Sequence, residues 1–496
     1  MMEALRFPWD SDEGRREVAP SAFRPRKRRK TSSRSHAIRQ PRRPAERRRP
    51  SVSPWGAVTA AIPGGGVRVA GHASRDATSR DRSAGRVVQG PQRERHEADY
   101  LLLVAAVALS AIGILMVYSS SGHDAALRGS VFDAITEQLG WALLGGLALV
   151  VVMRIDYRYW RSFSVLGLVV ALVLLVLVIG PSIPPLLEPM NVNGATRWLR
   201  IGGLPSFQPT EIAKIALVIF LAHWLTTRGK KVGSFRQGLL PFLLLIGVVA
   251  ALVLLEPDLG TTGVLVLTAF SMFFVAGGSI LQLVMTVPLG LIAVAGVVMA
   301  KPYMLARVQV FLDPFADATN TGYQTVRGIY ALAFGGITGQ GLGVSQQPTG
   351  MKVPAAANDF IFAVVGQEFG FIGGLVVIGL FLLLAWRGMR VAMNAPDTFG
   401  GLLALGITAW LTFQAFINIA VVVSLIPMTG MPLPFLSKGG TSLVVVLAAV
   451  GILLSISRET VTRGASAHED PHRSRGHRRP HLPRPGRRDP AADPTA

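Results

Sequence analysis

Asn358-Asp359-Phe360-Ile361-Phe362 sets a carboxylate at the mouth of a long apolar segment. A charge at membrane depth is costly, so it marks a functional group or a satisfied partner. A carboxylate there serves as a general base when a hydroxyl reaches it, and partial desolvation makes it a stronger one. The plain alternative is that Asp359 only caps the helix behind it. Three cations, Arg197, Arg307 and Lys352, fall on the same side of the chain's topology. Each suits an anionic ligand, and each equally suits lipid headgroups. Trp198 is placed either to stack on a ligand ring or to anchor the membrane interface. Glu256 and Asp258 flank Pro257 and read either as ligand or metal contacts or as the cap of the next helix. Glu211 and Lys214 lie three apart on one helix face, the spacing of a structural ion pair.

The elements that must position these residues are membrane helices. Half of the 496 residues are apolar, and runs of 18 or more apolar residues recur. This is the pattern of an all-α polytopic membrane protein. Ten segments are drawn, at 99–119, 133–153, 162–181, 208–226, 238–255, 259–277, 280–300, 359–386, 399–425 and 438–457. Pro257 breaks the fifth from the sixth, because it lacks an amide hydrogen and restricts its predecessor. Short loops at 154–161, 227–237 and 387–397 carry the Arg and Lys residues. The positive-inside rule puts those loops and both termini in the cytoplasm. The outer face then receives the 182–207 loop, the Glu256/Asp258 turn, a long 301–358 loop and the 426–437 loop. Within the long loop, Gly328 to Gly343 is small and apolar, suited to dipping into the membrane where protein covers its backbone.

The net charge of +21 sits mainly in the tails. Residues 1–98 hold 23 Lys/Arg against 10 Asp/Glu, and 459–496 hold 8 against 5. Both read as disordered, basic cytoplasmic tails around a membrane domain at 99–458. Clusters such as Arg24-Pro25-Arg26-Lys27-Arg28-Arg29-Lys30 suit anionic lipid, and no nucleic-acid partner is expected. No apolar stretch follows the initiating Met, so no cleavable signal is expected. The chain has no Cys, which excludes disulfides and thiolate metal sites.

Five short motifs, in order, resemble the SEDS family (shape, elongation, division and sporulation). They are Asn193-Gly194-Ala195-Thr196-Arg197-Trp198 with Gln208-Pro209-Thr210-Glu211 and Lys214, then Glu256-Pro257-Asp258-Leu259-Gly260-Thr261. Gly322-Tyr323-Gln324 with Gly341-Leu342-Gly343, Asn358 to Ala363, and Pro432 to Ser437 with Gly439-Gly440-Thr441-Ser442 complete the series. The likeness spans residues 99–458. Gly341 to Ser345 and Asn358 look more like the FtsW branch than the RodA branch.

The resemblance implies a peptidoglycan glycosyltransferase that polymerises lipid II on the outer face of the bacterial cytoplasmic membrane. It implies a class B penicillin-binding protein as partner, other division proteins beside it, and a place at the septum. Asp359 occupies the position of the family's essential acid, and Trp198 that of an important tryptophan. Arg197, Arg307, Lys352 or a bound Mg or Mn ion would then meet the pyrophosphate, and Glu256 and Asp258 a metal or a sugar. The chain departs from the family at Gln367, where an acid is common, and at Lys438, where Tyr, Ser or Ala is usual. Residues 345–357 also lack the usual acid and His. The alternatives are a lipid II flippase, a RodA-like elongation polymerase, and a scaffold for division proteins.

Overall fold

The computed structural model describes residues 97–127, 133–180, 187–192, 195–203, 205–344, 353, 354 and 356–459. The two basic tails lie almost wholly outside these residues, as does Lys352. The order of elements is α1 (Tyr100–Leu127), α2 (Asp133–Arg154), α3 (Tyr159–Ile179), β1 (Leu187–Val192), β2 (Ala195–Ile201), α4 (Pro209–Arg228), α5 (Leu240–Leu255), α6 (Leu259–Val275), α7 (Ile280–Ala300), α8 (Pro302–Leu312), α9 (Tyr323–Gly335), α10 (Ile361–Asn394), α11 (Thr398–Val422) and α12 (Gly440–Ser457). Nine helices among the described residues are long and apolar enough to cross a membrane. The tenth expected span, α6, is apolar but has only 17 residues. The protein is a multi-pass membrane protein.

Burial divides these helices. α11 and α12 are lined mostly by buried residues, whereas no residue of α7 is buried. In lipid, apolar surface gains little by leaving its solvent, so close packing selects the interior helices. The α2–α12 seam shows how. Gly440 lies against the Trp141 ring, and a Cβ on Gly451 would stand 2.7 Å from the Leu149 carbonyl oxygen. Small residues let these two helices approach along their length.

The long segment between the seventh and eighth spans is more ordered than a loop. It folds into α8 and α9, and α9 ends against a break in α10. Gly370 interrupts α10 with φ +65°, a conformation that suits glycine. The freed backbone groups are met by the turn after α9. Gln340 N donates to Gln367 O at 3.0 Å, Gly341 N to Glu368 O at 3.0 Å and Phe371 N to Gly336 O at 2.9 Å. The turn after α9 is thus tied to the break in α10 by its backbone, while Ile337 and Leu342 stay exposed, so the protein covers the glycine-rich stretch only in part.

The end of the eighth span differs from the sequence reading. Arg387 and Arg390 lie on α10 itself, which runs to Asn394, rather than in a loop. Arg387 pairs with Asp99 at 2.6 Å, so the helix continues to reach a partner at the start of α1. Nearby, Arg158 joins Asp156, Asp397 and Glu459 at 3.4, 3.5 and 2.9 Å. These clamps close the end of the bundle that carries the basic short loops.

Candidate active site

The opposite end holds a cavity of about 1170 Å³. Its walls come from the ends of many elements: the N-termini of α2, α4, α10 and α12, the hairpin, the α5–α6 break, α8, α9 and the 426–439 segment. Each helix end delivers a residue far from the others in sequence. The hairpin pairs Met190 with Trp198 and is tied down by Leu199 and Phe207, which exchange backbone bonds of 2.9 and 2.8 Å. That tie points β2 at the cavity, where Arg197, Trp198 and Arg200 line the wall.

Asp359 sits on the last turn before α10. Gln324 of α9 donates to its Oδ1 at 3.2 Å. Asn418 of α11 donates to its main-chain oxygen at 2.8 Å and to that of Met431 at 2.7 Å. Burial pushes the Asp359 carboxyl above the ordinary range, against the opposing pull of its own backbone N–H, Arg307 and Gln324. Among the described residues no side chain caps the start of α10, whose N-cap is Phe360, and the side-chain partner of the Asp359 carboxyl is Gln324.

Arg307 of α8 is its cationic neighbour. Its guanidinium donates to Met428 O at 3.0 Å and to the Tyr303 hydroxyl, and it stacks 4.3 Å from the Tyr303 ring centre. Gly430, at φ +71°, lies between the two charges. A Cβ there would stand 3.5 Å from Arg307 Nη2 and 3.8 Å from Asp359 Oδ2. The absence of a side chain keeps the acid and the guanidinium facing one space.

The other predicted residues divide. Arg197 lines the cavity, but two of its donors are committed: Nε to Glu256 O at 2.9 Å and Nη2 to Pro257 O at 2.6 Å. It thereby pins the hairpin to the α5–α6 break. Asp258 caps α6, accepting from Thr261 N at 2.9 Å and from the Thr261 hydroxyl at 2.8 Å. The capping reading holds for it, although its side of the break still borders the cavity. Glu256 is buried, and it is not among the described residues that line the cavity. Among the described residues, neither of its carboxylate oxygens has a hydrogen-bond partner. Burial, then the Asp258 charge, pushes its carboxyl up to about 8 against the pull of Arg197.

Glu211 and Lys214 pair at 2.8 Å in the buried interior, away from the cavity. Lys214 also donates to Gln414 Oε1 at 2.8 Å, and Gln414 Nε2 donates to Pro432 O at 2.9 Å. Gln414 and Asn418 thus spend their amides holding the chain beneath the cavity. Glu368 accepts from the Ser119 hydroxyl at 2.5 Å and from Gly343 N at 3.2 Å. These groups are locked into packing, which is not how a polar path through a bilayer is built.

Sequence reasoning did not single out Gln324, Tyr303, Gly430, Glu137 or Trp141 as site residues. Gln324 lay inside a matched motif, and Lys438 stood out only as a departure. Among the described residues, no three His, Asp or Glu side chains converge as a metal cage. A divalent cation bound mainly by substrate phosphates needs no such cage.

The model of the FtsW/RodA/SpoVE family, described as "Cell cycle protein", matches residues 99–462. The chain belongs to this family. Among its relatives, stage V sporulation protein E of Bacillus subtilis is 41% identical over 362 residues, covering 73% of this chain and 97% of that protein. A protein of Trichlorobacter lovleyi named "Probable peptidoglycan glycosyltransferase FtsW" is 41% identical over 364 residues, covering 73% and 93%. Solved structures also superpose on this chain. One, described as "Structural coordination of polymerization and crosslinking by a peptidoglycan synthase complex", superposes with a TM-score of 0.59 at 29% identity, covering 73% of this chain and 98% of that one. RodA of Thermus thermophilus superposes with a TM-score of 0.54 at 26% identity, covering 74% and 98%.

Proposed function

We propose that this chain is a peptidoglycan glycosyltransferase that polymerises lipid II, with Asp359 as its general base. The observation that carries the reading is Asp359 in a large cavity shared with Arg197, Arg200, Lys301, Arg307 and Lys438. A base beside a surplus of cations suits attack by a hydroxyl with loss of an anionic leaving group. The relatives named as FtsW glycosyltransferases support it. They also favour division, and a septal location, over elongation.

In this reaction an acceptor sugar hydroxyl gives its proton to Asp359 while its oxygen attacks the anomeric carbon of a second lipid II. The bond from that carbon to the pyrophosphate oxygen breaks, and the lipid pyrophosphate leaves with the electron pair. Gln324 orients the carboxylate, and Arg307 faces the developing charge from the other side of Gly430. Trp198 lines the same wall, where its ring suits a sugar face. A Mg or Mn ion bound to the substrate phosphates would add positive charge at the leaving group. The basic short loops lie at the far end of the bundle, so the positive-inside rule puts the cavity outside and both termini in the cytoplasm. A class B penicillin-binding protein is the proposed partner, crosslinking the product.

Purified protein, with and without such a transpeptidase, is given labelled lipid II and assayed for glycan chains. Chains that depend on Asp359 are expected. Lipid II moved across vesicles with no chain growth would replace this reading with transport.

A further inference from the structure

Lys438 Nζ stands 3.1 Å from Glu137 Oε2 at the edge of the Asp359 cavity, and both side chains line it. The two are 36% and 56% exposed. An ion pair that open to water contributes little, so exchanging one partner for another costs little. The backbone beneath it is fixed. Lys438 N donates to Ala357 O at 2.7 Å, two residues before Asp359. Ser437 is held by its hydroxyl, which accepts from Leu433 N at 2.8 Å, and by its N–H, which donates to Leu433 O at 3.0 Å. On the other side, one turn beyond Glu137, Trp141 also borders the cavity and packs on Gly440. A flexible ammonium thus stands on a rigid base.

Its position differs in kind from that of Arg197 and Arg307. Those guanidiniums have donors committed to backbone carbonyls. Lys438 is committed to a carboxylate, which an anionic ligand displaces by competing for the same charge. Lys is a compact cation on a long stem, and it binds phosphate as a point charge. Further along the same helix, α2 leaves Leu143, Leu144 and Leu147 exposed. A phosphate bound at Lys438 would therefore sit at the end of a helix whose exposed apolar side chains suit a lipid chain attached to it.

We propose that Glu137 and Lys438 form an exchangeable latch: the ammonium leaves Glu137 to bind a phosphate of a diphosphate-linked lipid. Glu137 sets the threshold for that exchange. The proposal rests on the glycosyltransferase reading and adds a substrate-positioning pair to it.

The test measures binding of undecaprenyl diphosphate to the full chain in detergent, and KM and kcat for lipid II. Lys438→Gln should weaken binding about tenfold, the scale of one lost charge-assisted hydrogen bond, and raise KM with little change in kcat. Glu137→Gln should tighten binding, because it removes the competitor. A purely structural pair predicts shifts in the same direction for both variants. Shifts of the same sign, or none in either variant, overturn the latch. Parent protein that fails to polymerise lipid II would instead overturn the glycosyltransferase reading, and opposed binding shifts would still support the latch.

Discussion

Asn418 donates to the main-chain oxygen of Asp359 at 2.8 Å and leaves the carboxylate untouched. The same amide holds Met431 O at 2.7 Å. One side chain in α11 therefore fixes the turn that carries the acid and the segment that carries Gly430. Asn418→Ala leaves two carbonyls without that partner, each costing about 1–3 kcal/mol where water cannot replace it. Thermal unfolding in detergent should show the loss. In the surviving folded fraction, kcat should fall more than KM rises, because the base is misplaced while the cations remain. A rise in KM alone, with kcat intact, would contradict this positioning role.

Asp359→Asn keeps the shape and the Gln324 contact but removes the base. Polymerisation should drop by about 10²–10⁴-fold while the protein stays folded and inserted. Asp359→Glu should retain little, since a shift of about 1 Å can cost about 10²-fold. The parent's rate should also fall as pH drops through the raised Asp359 range, because the protonated acid cannot accept a proton. An Asp359→Asn enzyme that runs at the parental rate would remove the assignment.

Glu256 supplies a stability test with a sign. Its folded-state carboxyl titrates near 8, above the ordinary value of 4.5 for that group. The folded chain therefore holds this proton more tightly than the unfolded one. Its favourable contribution is complete below the unfolded value and is lost as pH rises through the folded one. Glu256→Gln should raise the Tm at pH 9 relative to the parent, and the gap should close toward pH 4. A gap that is constant with pH would mean that the carboxyl does not titrate there.

The Glu211–Lys214 pair should matter for stability rather than chemistry. Removing one partner of a buried pair strands the other and costs about 3–5 kcal/mol. Glu211→Gln should lower expression and thermal stability, with lipid II KM little changed. The readout is melting temperature alongside turnover per folded molecule. Normal stability with lost turnover would move this pair into the reaction.

Sidedness is checked by single Cys substitutions in the natural chain, which has none of its own. Thr319 lies between α8 and α9, and Ser234 lies between α4 and α5 at the opposite end. A membrane-impermeant thiol reagent added to intact cells should label Thr319→Cys and spare Ser234→Cys. Equal labelling of both would reverse or break the proposed topology.

Hydropathy alone marked the spans because a segment's apolar length is a local property, matched to bilayer thickness. The bias of Arg and Lys toward alternate short loops likewise sorted the ends of the helices, and Asp359 declared itself as a carboxylate where charge is expensive. The Glu211–Lys214 pair was legible from a spacing of three. What brings Gln324 to Asp359 across 35 positions, and Asn418 across 59, is helix packing. The same is true of Lys438 and Glu137, which sit on opposite sides of a seam closed by glycines. Sequence also left Asp258 open between cap and ligand, and only the bonds from Thr261 decided for the cap. Side-chain type and spacing constrain what one helix can do. Which distant ends share a cavity depends on how closely the backbones approach, and that is set by the packed whole.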